Sequence, residues 1–267
     1  MKLNKLFMLA LVGTLALACF GCSSGEAAKN DSTQSEPTPA AKQEKEEKVE
    51  KADPDAEALA AGKTVKYIDQ YYTNLKDAVD KANQNGGGTV VLLADTVDTE
   101  NGESATIGFR TSITIKSNGD KPFKIYRAVG HVTEMLRITD GTITVKDVVF
   151  DGAGEGVTSP IIMISDLARV TFGSGLTLTN NVTDGSGYAE NFGASAVSIS
   201  GADAYVTIES GCTISSCVGS GSAVSALNND GGNVINNGGT FTGNTSASGE
   251  NPNYVGSGTY EGNEITA

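Results

Sequence analysis

The chain has 267 residues, with 19 Lys and Arg against 32 Asp and Glu, a formal net charge of −13. That balance argues against nucleic acid and other polyanions as partners, and it permits Ca²⁺ or neutral glycans. Gly is abundant at 33 residues and Trp is absent, a composition suited to tight turns around a core too narrow for indoles.

Lys2 and Lys5 precede an apolar run from Leu6 to Leu17, 12 residues long. A bilayer span needs about 20 apolar residues, so this run reads as a secretory h-region. It ends in 15-LALACFGCSSG-25, which resembles a bacterial lipoprotein signal. The resemblance implies cleavage before a Cys whose thiol then carries diacylglycerol. Cys19, after Leu15-Ala16-Leu17-Ala18, and Cys22, after Gly21 and before Ser23-Ser24-Gly25, both qualify, and Cys19 is favoured. Residues 1–22 are thus expected to be signal and lipidated Cys, tethering the protein to the membrane on its extracellular side. Residues 23–61 hold 10 acidic and five basic residues, three prolines and almost nothing large and apolar. Such a segment cannot offset its chain entropy by burial and is expected to be a disordered acidic linker.

Residues 62–267 are expected to form one domain. Leu75, Ala78, Val79 and Ala82 recur at i, i+3, i+4 and i+7 and mark a helical face, with Thr73 or Asn74 as cap and Gly86 to Gly88 as stop. Thr89 to Leu93 reads as a strand, followed by strands at 106–109, 112–117 and 122–128. Four stretches then share one frame of strand, turn, strand, Gly-bearing turn, strand. They start at Met135, Ile161, Ala196 and Ala223, giving periods of 26, 35 and 27 residues. Periods of this size indicate a solenoid, and three short strands per repeat without helices indicate a parallel β-helix. Six or seven coils at about 4.8 Å each make a column of roughly 30 Å. Alternation points Ile143, Val145, Val170, Phe172, Val206 and Ile208 inward on one wall. On the next wall it points Val148, Phe150, Leu176, Leu178, Cys212 and Ile214 inward, with Phe241 below. The helix at 75–84 caps the first coil.

The segment 75-LKDAVDKANQNGGGTVVLLAD-95, followed by Val/Ile/Thr-Gly coils with Asn at turns, resembles the right-handed parallel β-helix, or pectin-lyase-like, superfamily. The resemblance spans roughly 65 to 248 and implies an all-β, right-handed solenoid with an N-terminal capping helix. Gly231-Gly232-Asn233-Val234 and Phe241-Thr242-Gly243-Asn244 also resemble repeats of polymorphic outer-membrane adhesins.

The superfamily includes polysaccharide lyases and glycoside hydrolases. A lyase of that kind pairs Ca²⁺, held by carboxylates, with an Arg or Lys base. Residues 170–267 contain eight carboxylates and no basic side chain, so a base is restricted to Arg127, Arg137, Lys146 or Arg169. Lys146 with Asp147 and Asp151 is the best cluster, although an outward Lys beside two turn carboxylates is the simpler reading. Asp140, Asp147, Asp151 and Asp166 are the carboxylates that successive coils would bring nearest, but no paired-Asp strand motif occurs. His131, the single histidine, has no partner identifiable from spacing and reads as a loop residue. Cys212 falls where Leu176 stacks, and Cys217 shares a turn position with Asn181 and Asn244. A disulfide between them requires the turn to fold back. No metal or cofactor site is expected beyond possible Ca²⁺. The expected function is non-catalytic, either adhesion or the binding of a glycan or protein, and the alternative is a polysaccharide lyase or glycoside hydrolase.

Overall fold

The computed structural model describes residues 52–186, 193–221, 223, 225–246 and 251–266. Cys19, Cys22 and most of the expected linker lie outside the described residues. The described residues form an all-β parallel solenoid of about six turns with two helices. Sheet A stacks Gly87–Leu92, Ser112–Ser117, Thr142–Val145, Arg169–Phe172, Tyr205–Ile208, Asn233–Asn236 and Thr259–Gly262. Sheet B runs from Thr96–Val97 through Phe123–Tyr126, Val148–Val157, Thr177–Thr183 and Thr213–Ser215 to Thr240–Thr242. Sheet C runs from Ala105–Ile107 through Leu136–Ile138, Ile162–Ile164, Ala194–Ser200 and Ser225–Asp230 to Tyr254–Gly256.

The expected inward residues stack in register. On sheet A, Ile113, Ile143, Val170, Val206 and Val234 lie one above another, beside Ile115, Val145, Phe172 and Ile208. On sheet B, Ile125, Phe150, Leu178, Ile214 and Phe241 do the same. Period-2 alternation at β spacing explains why one apolar residue per coil per column suffices to fill the core. Glycine serves close approach in this stack: a Cβ at Gly87 would sit 2.2 Å from the Ser112 carbonyl oxygen of the next coil.

Two expectations need correction. The fourth repeat does not start at Ala223: Val197 pairs with Leu227, so Ala226 occupies the level of Ala196, and a bulge follows Ala194. Sheet C strands here are buried on both faces, so alternation carries no register information and the shared Ala-Val-Ser wording misled. Residues 54–60, assigned to the linker, form helix α1 (Pro54–Ala60), with Asp53 as N-cap and Pro54 opening the first turn. Asp55 bonds Lys66 Nζ and Tyr71 Oη, each at 2.7 Å, so α1 is tied to the hairpin Val65–Tyr67 and Gln70–Tyr72. Those two bonds hold the Asp55 carboxyl below its usual range.

Helix α2 (Leu75–Gln84) buries the four residues expected on its apolar face, and Asn74 is its cap, accepting from Asp77 N at 2.9 Å. The hairpin pairs antiparallel with Gly87–Leu92, so hairpin and α2 together cover the first coil. At the other end the filling changes chemistry. Inward Ile199 is followed one coil on by Asn229, and Ile208 by Asn236. These buried amides bond backbone: Asn236 Oδ1 accepts from Gly239 N at 2.8 Å, and its Nδ2 donates to Asn263 O at 2.9 Å. Asn229 Nδ2 donates to Thr259 O at 3.1 Å.

Candidate functional site

The residues proposed as a catalytic cluster are divided among different parts of the coil. Lys146 and Asp147 occupy the corner between sheets A and B, where Asp147 adopts φ +52°. Asp151 lies on sheet B in register with Tyr126 and Thr179, and accepts from Asn180 Nδ2 at 2.8 Å. Asp140 and Asp166 sit at the corner between sheets C and A, where Asp140 accepts from Gly141 N and Asp166 from the Ser165 hydroxyl. Among the described residues no group of three or more His, Cys, Asp or Glu is placed to hold a metal ion. Cys212 and Cys217 are free and buried. Burial pushes both thiols up to about 12.

The basic candidates are engaged structurally. Arg127 is buried. Its Nε donates to Gly152 O at 3.1 Å and its Nη2 to Asn181 Oδ1 at 3.1 Å, while Nη1 bonds the Thr133 carbonyl. Burial lowers its pKa to about 10, against the opposing pull of the Asp98 and Glu134 carboxylates. Arg137 bonds Glu134, and the Arg169 guanidinium lies 4.5 Å from the Tyr205 ring centroid.

Beside Arg127 the structure assembles a constellation that the sequence reading missed. His131 is a loop residue but has partners: Nδ1 lies 2.6 Å from Asp98 Oδ2 and Nε2 lies 2.9 Å from Thr133 Oγ1, with the His131 and Asp98 side chains fully buried. A carboxylate at Asp98 only accepts, so Nδ1 donates to it, and Nε2 shares the remaining hydrogen bond with the Thr133 hydroxyl. Thr133 Oγ1 is also 3.2 Å from Ser104 Oγ. Asp98 Oδ1 accepts from Ala128 N at 2.8 Å, pinning the loop that carries His131. A cleft of about 280 Å³ opens beside this group, lined by Arg127, Val129, His131, Val132, Gly152 and Val157 among others. Asp98 precedes His131 by 33 residues, about one coil, so the only usable signal was the solenoid period itself.

The outer face of sheet A is built differently. Its residues alternate with the core set, so each coil contributes two outward positions. Thr89, Thr114, Thr144, Thr171 and Thr207 form one continuous rank. Alongside run Ser112, Thr142, Arg169, Tyr205, Asn233 and Thr259. β-Branched Thr at such positions favours the strand while presenting a hydroxyl outward. Two shallow clefts lie on this second rank. One of about 310 Å³ includes Thr142, Arg169, Arg110, Asp140 and Asp203. The other, about 220 Å³, includes Tyr205, Asn233, Thr259 and Glu261. Sheet B repeats the pattern over three coils, with Thr177, Thr213 and Thr240 beside Thr179, Ser215 and Thr242.

Comparison with protein-family models, with curated proteins and with solved structures finds no match for this chain.

Proposed function

We propose that this chain is a non-catalytic binding protein held at the bacterial cell surface by an N-terminal lipid, displaying its solenoid to a glycan or protein ligand. The observation that carries this reading is the continuous outward hydroxyl and amide ranks of sheet A, which repeat once per coil and offer many equivalent hydrogen-bonding positions. Kinship with pectin-lyase-like surface proteins, suggested by the capping helix and the Gly- and Asn-rich turns, agrees with that role. The test has two arms. The full-length protein should partition into detergent with its lipid, and a Cys19→Ala, Cys22→Ala double variant should become soluble; a double variant that stays membrane-bound refutes the anchor. The domain should bind a member of a panel of glycans and extracellular proteins without cleaving it.

A polysaccharide-active hydrolase is the second reading, favoured by one observation: the Thr133–His131–Asp98 chain has the connectivity of a hydroxyl, base and orienting carboxylate, which suits acyl transfer such as removal of ester groups from a polysaccharide. Release of acyl groups from an esterified polysaccharide, lost in His131→Ala, would establish it. Release of unsaturated products from a uronate polymer, lost in Lys146→Ala, would instead establish a lyase.

A further inference from the structure

Resting on the binding reading, we infer that the ligand is an extended, uncharged glycan chain lying along the column axis on sheet A, crossing the strands, with Tyr205 and Asn233 at its centre. Three observations converge there. First, the rank Thr142, Arg169, Tyr205, Asn233 and Thr259 is unbroken over five coils. Four steps at about 4.8 Å give a path of roughly 19 Å, long enough for several sugar units. Both clefts on this face lie on that path, one on each side of the Arg169–Tyr205 stack.

Second, the groups on the path suit polyhydroxyl ligands. Hydroxyls and a side-chain amide both donate and accept, and Tyr205 supplies an amphipathic ring with 37% of its surface exposed. The Asn233 amide already donates to Ala202 O and Ala204 O, at 2.8 and 3.2 Å. Both N–H groups are thus engaged, and Asn233 offers a ligand its Oδ1 as an acceptor, oriented before any ligand arrives, which reduces the ordering cost of binding.

Third, charge selects against ionic ligands. Arg110 and Arg169 share their cleft with Asp140 and Asp203, so the basic charge is matched locally. Glu261 is the only ionisable side chain other than Tyr205 lining the second cleft. With a net charge of −13 over the whole chain, a polyuronate or other polyanion would meet repulsion along the path, whereas a neutral chain would not.

The experiment is affinity electrophoresis of the intact domain through gels containing, in turn, glucan, galactan, mannan, xylan and polygalacturonate. At least one neutral polymer should retard the protein, and polygalacturonate should not. Tyr205→Ala and Asn233→Ala should each weaken that retardation about ten-fold, with circular dichroism confirming an unchanged fold. Thr179→Ala, on the outer face of sheet B, should leave it unaltered. Equal retardation of Tyr205→Ala and wild type, loss in Thr179→Ala instead, or preference for polygalacturonate would overturn the assignment while leaving a binding protein in place. Binding only to a protein ligand would also overturn it, and failure to bind any glycan or protein would remove the binding reading as well.

Discussion

Replacing Ile208 by Asp probes the stacked core at one position. Ile208 is fully buried and lies in register between Phe172 and Asn236. It has no slack, since a Cβ on Gly239 would approach its Cγ2 to 2.4 Å. Burying an Ile side chain contributes about 1.5–3 kcal/mol, and the substitution forfeits that. A carboxyl group without partners adds about 1–3 kcal/mol more even when it takes up a proton. The sum, about 2.5–6 kcal/mol, reaches the lower part of the whole stability of typical domains, about 5–15 kcal/mol. Ile208→Val should cost only about 0.5–1.5 kcal/mol. Urea unfolding followed by far-UV circular dichroism separates the two, with the midpoint falling steeply for Asp and slightly for Val. An unchanged midpoint for Ile208→Asp would mean that this side chain does not face the column, and the inward register of sheet A would fail with it.

The two thiols should resist a disulfide reagent at pH 8 in the native protein and react fully once unfolded, because burial holds both near 12. Their linkage has a definite sign: from an ordinary value of 9.0 the unfolded thiols ionise first, so stability is intact below pH 9 and declines toward pH 12 in chemical-denaturation series. Arg127→Met should destabilise by about 3–5 kcal/mol, since it leaves the buried Gly152 and Thr133 carbonyls and Asn181 Oδ1 without their donor and removes the charge that attracts Asp98 and Glu134. A shift below about 1 kcal/mol in the same urea assay would contradict the burial of that guanidinium.

What the sequence revealed depended on whether a residue's partner could be reached by a local rule. The helix Leu75–Gln84, its Asn74 cap and the inward residues of sheets A and B follow from periods of 3.6 and 2, which act within a few residues. Asn181, Cys217 and Asn244 were also placed at one level correctly, because Val182, Val218 and Thr245 stack in register beside them. The register of Ser225–Asp230 escaped because both its faces are buried. Helix α1 escaped because its stabilising contacts, Asp55 with Lys66 and Tyr71, join an acidic segment to a strand that composition alone does not link to it. Of the candidate sites, the outward Thr residues follow from the same alternation that sets the inward ones, but their stacking into ranks needed the register of the coils. The Asp98–His131 pair was not visible, since its members meet only after the chain has completed a coil.

The change from Ile199 and Ile208 to Asn229 and Asn236 also divides the column mechanically. In a one-dimensional stack, resistance to pulling is set by the weakest junction between neighbours. Aliphatic junctions resist separation through dispersion and water exclusion, which act in every direction and fade gradually as surfaces part. The junction beyond Ile208 keeps Val206 on Val234 and Ile214 on Phe241 but fills two columns with amides, whose directional hydrogen bonds lose their strength within a fraction of an ångström. Under tension, the coils beyond Ile208 should therefore yield abruptly and first, while those from Gly87 to Ile208 remain a rigid rod. Tension applied to the last coils would thus be taken up there before it reached the coils from Gly87 to Ile208.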